Sequence, residues 1–67
     1  MQVRINGKPY DVPGKVDTLE DLVISMKLRK GNTLLKHNGQ PVPWQKWPAV
    51  AVRQDDTVEM LTLISGG

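Results

Sequence analysis

Hydrophobic and polar residues alternate at the start of this chain: Met1, Val3 and Ile5 are separated by Gln2 and Arg4, the period of a half-buried strand. Asn6-Gly7 then supplies the residue pair of a two-residue hairpin turn, and a return strand over Lys8 to Val12 turns Tyr10 and Val12 inward until Pro13-Gly14 ends it. Pro9 gives that strand a free edge, because proline has no N–H for a ladder. The period changes at Thr18. Leu19, Leu22, Val23 and Met26 fall at i, i+3, i+4 and i+7, one face of a long amphipathic helix that must bury against the sheet. Thr18 is the N-cap with Asp21 three residues on, and Asp17 and Glu20 add negative charge where the helix dipole favours it. Lys27, Arg29 and Lys30 complement the other end before Gly31 closes the helix.

After the helix, Thr33 to His37 predicts a strand, Asn38-Gly39 a second hairpin turn, and Gln40-Pro41-Val42 a short return. Pro43 with Trp44 and Trp47 predicts a helical turn in which the Trp47 indole plugs one end of the core and Trp44 stays near the surface. His37, beside a turn and without a second candidate ligand, is expected to be solvated. Val50 and Val52 form a short segment, Gln54 to Thr57 a turn, and the final strand starts at Val58. One helix covers one face of a sheet, so the order implies an α+β fold with a mixed four- to five-stranded sheet. The two strands before the helix already pair as a hairpin, which leaves the last strand free to lie centrally and parallel to the first. That is the ubiquitin-like β-grasp arrangement, expected as one unit over residues 1–67 with a flexible Gly-Gly tail.

Composition narrows the chemistry. A chain of 67 residues buries only about 60% of its unfolded surface and is stable by on the order of 3–10 kcal/mol, too little for a deep cleft of its own, so an independent enzyme is not expected. Cysteine is absent and histidine occurs once, which removes disulfides, thiolate metal sites, cysteine nucleophiles and most imidazole chemistry. Nine basic and seven acidic residues, net +2, are interspersed, weak grounds for nucleic-acid binding. No apolar run approaches the ~20 residues that span a bilayer, and no signal-like start is present, so a soluble cytoplasmic protein is the expectation.

The last ten residues carry the functional signal. The apolar run from Val58 leads without a spacer into Ile64-Ser65-Gly66-Gly67. Two glycines without Cβ atoms can lie extended in a narrow channel and bring the Gly67 carboxylate to another protein's active site, with Ser65 and Gly66 in the channel. Alternation places Val58 and Met60 toward the helix, because Glu59 between them could not be buried unpaired. Leu61 then shares the open face with Glu59, and Glu59, Leu61, Leu63 and Ile64 form the expected partner surface.

Several marks together resemble the ThiS family of sulfur carriers, ubiquitin-like proteins of thiamine thiazole biosynthesis. They are Val3-x-Ile5-Asn6-Gly7, Thr18-Leu19-x-x-Leu22, Asn38-Gly39-x-x-Val42-Pro43-x-x-x-Trp47, and Asp56-x-Val58-Glu59 followed by Ile64-Ser65-Gly66-Gly67. Asp55 stands where the family often has the glycine of a Gly-Asp turn, and Trp44 where a basic residue is common. The resemblance implies that Gly67 is adenylated by a ThiF-like enzyme using ATP and magnesium, with no cofactor held stably by the carrier. It also implies conversion to a thiocarboxylate, with sulfur relayed from a cysteine desulfurase and passed to thiazole synthase. A molybdopterin-synthase small subunit, a lysine-conjugating ubiquitin-like modifier and a basic β-grasp module that binds RNA or a peptide remain as alternatives. The first shares the tail chemistry but usually has a longer chain, the second would form conjugate ladders with ATP and lysate, and the third would tolerate a C-terminal tag.

Overall fold

Two Asn-Gly pairs set the strand registers. In the computed structural model, which describes residues 1–63, Asn6 and Gly7 take φ of 52° and 83°, and Asn38 and Gly39 take 51° and 85°. Two successive left-handed residues make a type I′ turn, whose twist matches that of the strands it joins. The first turn pairs β1 (Gln2–Ile5) with β2 (Lys8–Asp11) and the second pairs β3 (Thr33–His37) with β4 (Gln40–Pro41), both antiparallel.

Strand β5 (Thr57–Thr62) lies between the two hairpins, giving the order β2-β1-β5-β3-β4. It runs parallel to β1 through Arg4↔Thr57 and Ile5↔Val58, and antiparallel to β3 from Thr33↔Thr62 to His37↔Val58. The mixed sheet, central last strand and single covering helix are the expected β-grasp, with five strands. Pro9 sits in the edge strand β2, where its missing N–H costs no ladder bond.

Helix α1 spans Leu19–Ser25 and starts as expected. The Thr18 hydroxyl accepts from the Asp21 N–H at 3.1 Å, and the Asp21 carboxylate accepts from the backbone N–H groups of Asp17 and Thr18, a capping box. Those bonds, led by the Asp17 and Thr18 N–H groups, hold the Asp21 carboxyl below its usual pKa. Leu19, Leu22 and Val23 are buried against the sheet, each contributing about 1.5–3 kcal/mol.

The helix end differs from the expectation. It has seven residues, Met26 is its C-cap, and no basic residue lies in its last turn, so Lys27, Arg29 and Lys30 do not cap it and Gly31 does not close it. Lys27 takes the left-handed closing position, φ 60°, while the Lys27 N–H donates to Ile24 O and the Leu28 N–H to Val23 O. This paired pattern is the Schellman ending, and its apolar partner is Leu28, which turns back against the core. Gly31 belongs instead to a 3₁₀ turn, Lys30–Asn32.

The core joins Val3, Ile5, Leu35 and Val58 of the sheet to the helix, and Trp47 closes one end. Trp47 lies in the 3₁₀ segment Trp44–Ala49 and donates its indole N–H to Val42 O at 2.9 Å. Trp44 is exposed, with the Lys30 ammonium 4.5 Å from its ring centroid. The following residues strap the helix start, with the Leu19 N–H on Val50 O and the Val52 N–H on Asp17 O. Asp55 is left-handed at φ 68°, the conformation that a glycine there would supply without strain.

His37 is a second correction. It is half-buried, and its Nε2 lies 2.7 Å from Asp56 Oδ2, because the turn after β3 folds onto the turn before β5. Among the described residues no cluster of potential metal ligands occurs, and no helix is long and apolar enough to cross a membrane.

Candidate functional site

Strand β5 positions the site. Its β1 side is held beyond the end of β1 by one side chain: Asn6 Oδ1 accepts from the Met60 N–H at 2.8 Å and Asn6 Nδ2 donates to Met60 O at 3.1 Å. The Asn6 amide thus stands where a further β1 residue would pair. On the β3 side the Leu63 N–H donates to Asn32 O at 2.6 Å, extending the pairing one step past β5. Backbone bonds therefore direct the chain out of the sheet up to Leu63, the last described residue.

Alternation along this held strand sorts its side chains. Val58 is fully buried and Met60 half-buried on the helix side, whereas Glu59 and Leu61 face the open side. Leu61 is 60% exposed and stands opposite Leu34, itself 57% exposed. Lys36 stands opposite Glu59 two pairs further along, the next pair on the same face. The open face thus presents an apolar Leu34/Leu61 pair, extended by exposed Leu63 and bordered by one charge of each sign. Two adjoining leucines more than half exposed form an apolar patch, the kind of surface that partners cover.

Of the expected site residues, Glu59, Leu61 and Leu63 are brought together here, whereas Ile64, Ser65, Gly66 and Gly67 lie outside the described residues. Leu34 and Asn6 were not among the residues expected at the site. Leu34 could have been found from the strand order, since period-2 alternation puts it on the face of Leu61 once β3 neighbours β5. The described residues present an exposed apolar face on β3 and β5 and hold β5 by hydrogen bonds as far as Leu63.

The chain matches the model of the ThiS family over residues 3–67. Two solved structures of a thiamine biosynthesis protein (ThiS) from Geobacter metallireducens are similar to it. The crystal structure is 27% identical, with all of both chains covered and a TM-score of 0.81. The solution structure is 28% identical, with all of this chain and 88% of the other covered, also at 0.81. No curated protein sequence matches the chain. With the family's pattern running through its terminal glycines, and with a ThiS fold in which β5 lies centrally and leads toward them, the chain belongs to the ThiS family.

Proposed function

We propose that this chain is a sulfur carrier for thiazole formation in thiamine biosynthesis, working in the cytoplasm, with Gly67 as the group that is activated and loaded. The family match extending to residue 67 carries this reading. A free carboxylate is a poor electrophile until one of its oxygens becomes a leaving group. In the proposed first step a Gly67 carboxylate oxygen attacks the α-phosphorus of ATP on a ThiF-like enzyme, forming the acyl-adenylate and releasing pyrophosphate. The outer sulfur of a persulfide relayed from a cysteine desulfurase then attacks the acyl carbon and displaces AMP, and a second thiol cleaves the resulting acyl disulfide, leaving a disulfide on the donor side and the thiocarboxylate on Gly67, which thiazole synthase consumes. The partner enzymes supply ATP, magnesium and all stabilisation of developing charge; the carrier is their protein substrate and not a catalyst.

The carrier's own residues then have distinct tasks. Leu34, Leu61 and Leu63 supply apolar area for docking, Glu59 and Lys36 set orientation at the rim, and Asn6 and Asn32 hold β5 on the line along which the tail leaves. Ser65 and Gly66 fill the partner's channel with little more than backbone. Intact-mass measurement after incubation with the adenylating enzyme, ATP and a sulfur donor should show one oxygen-to-sulfur exchange, located by fragmentation at Gly67. Exchange placed at any other residue would falsify the loading step. The loaded protein should then turn over with thiazole synthase and not with the large subunit of molybdopterin synthase; the reverse result transfers the chain to molybdopterin chemistry.

A further inference from the structure

Strand β4 stops after two residues although β3 continues past it. The pairs Lys36↔Pro41 and His37↔Gln40 set a register in which Leu35 would face Val42 and Thr33 would face Trp44. Only half of the first pair forms: the Val42 N–H donates to Leu35 O at 3.0 Å, but Val42 O accepts the Trp47 indole N–H instead of the Leu35 N–H. Pro43 then diverts the chain into the 3₁₀ segment. The Leu35 N–H and the Thr33 carbonyl point to this edge with no backbone partner among the described residues, although both residues are buried. Beside them lies an open cavity of ≈ 620 Å³. Leu34, Lys36, Glu59 and Leu61 of the open face line it together with Val42 and Trp44, so it lies over that face of β3 next to the edge. An edge with two unused backbone groups, bordered by a cavity over the open face that side chains of an added strand would enter, has the form of a missing strand.

We infer that this edge of β3 is a strand-addition site for an extended apolar segment of a partner protein flanked by acidic residues. Added beside Thr33 to Leu35, the segment would meet the Leu35 N–H and the Thr33 carbonyl with its own backbone and set alternate side chains into the cavity. Charge selects the flanks. Residues 22–54 hold Lys27, Arg29, Lys30, Lys36, Lys46 and Arg53 and no aspartate or glutamate. Lys36 lines the cavity together with the one acid, Glu59, and Lys30 is held over Trp44 at its end. The same lysines oppose a second copy of this chain, whose edge would bring like charges together. Strand addition here requires nothing of the sulfur chemistry at Gly67.

The ¹⁵N-labelled protein tests this by amide hydrogen exchange. The Leu35 amide should exchange faster than those of Leu34 and Lys36, which face β5. Selection on the protein from a phage library of random peptides about a dozen residues long should enrich alternating apolar sequences with Asp or Glu at their ends. A synthetic peptide so chosen should slow Leu35 exchange at least about tenfold at saturation and lose affinity as salt rises. It should bind more weakly to Lys30→Glu and fail to bind when its alternate backbone amides are N-methylated. The inference is overturned if no peptide is enriched, if enriched peptides leave Leu35 exchange unchanged, or if the protein alone protects Leu35 by forming a dimer.

Discussion

Leu34 and Leu61 stand directly opposite each other on the uncovered face of the sheet, both more than half exposed, while Leu35 beside Leu34 and Val58 earlier in β5 are buried in the core. The two faces of β5 should therefore respond oppositely to a carboxylate. Leu61→Asp should fold with a stability change within about 0.5 kcal/mol, since the new charge stays in water. It should markedly weaken binding of the adenylating enzyme in a direct titration, and Leu34→Asp should do the same. Val58→Asp buries an unpaired charge and should leave the chain unfolded by circular dichroism. Unchanged affinity of folded Leu61→Asp moves the interface off this face.

Lys27 closes α1 in the left-handed region at φ 60°, a position that a β-carbon makes costly. Lys27→Gly removes roughly 1–2 kcal/mol of strain and returns about 0.5–1 kcal/mol through the greater freedom of glycine in the unfolded chain. A net stabilisation of about 0.5–1 kcal/mol follows, with the urea midpoint as the measurement. Lys27→Val should destabilise, because a β-branched residue tolerates this conformation least.

These two regions show what the sequence makes legible. The Asn-Gly turns, the Thr18/Asp21 cap and the inward Val58 depend on residues a few positions apart, and all stand in the structure where local pattern places them. The helix end is set by tertiary packing. Leu28 turns back to the core, and closing the helix with Lys27 achieves this at the cost of one strained residue, so the more permissive Gly31 is not used. The solvated His37 failed as an expectation because its partner, Asp56, is 19 residues away and no local signal connects them. Leu34 was recoverable only by following the strand order through to its face-sharing partner.

Asp56 is the centre of the link between the two turns: it accepts from His37 Nε2, from Asn38 Nδ2 at 3.1 Å and from the Arg53 N–H at 2.9 Å. Burial alone would raise its pKa, but the His37, Arg53 and Asn38 donors outweigh that and hold the carboxyl below its usual value. A carboxyl depressed on folding adds stability that is fully present above its unfolded pKa, near 3.9, and is lost as pH falls through the lower folded value. Asp56→Ala should cost about 1–3 kcal/mol at pH 7, with the gap to wild type narrowing in urea melts taken at successively lower pH below about 4. A cost that stays constant to low pH means that the lost contacts do not depend on the ionised carboxylate.

Gly66 separates carrier stability from carrier function. Glycine has no side chain to pack, so Gly66→Val removes no side-chain contact and should leave the thermal midpoint unchanged. Its effect is expected in the partner. A terminal carboxylate that reaches an enclosed α-phosphorus must be threaded to it, and a channel shaped to two glycines has room for backbone only. A β-branched side chain there displaces the reacting oxygen or holds the tail out, and a displacement of even an ångström at a reacting centre costs on the order of a hundredfold in rate. Pyrophosphate release by the adenylating enzyme, measured at saturating ATP, should therefore fall by about that factor for Gly66→Val, while Ser65→Ala, which adds no bulk, should stay near wild type. If Gly66→Val is adenylated at the wild-type rate, the tail enters no narrow channel, and the two glycines owe their place in this chain to something other than threading.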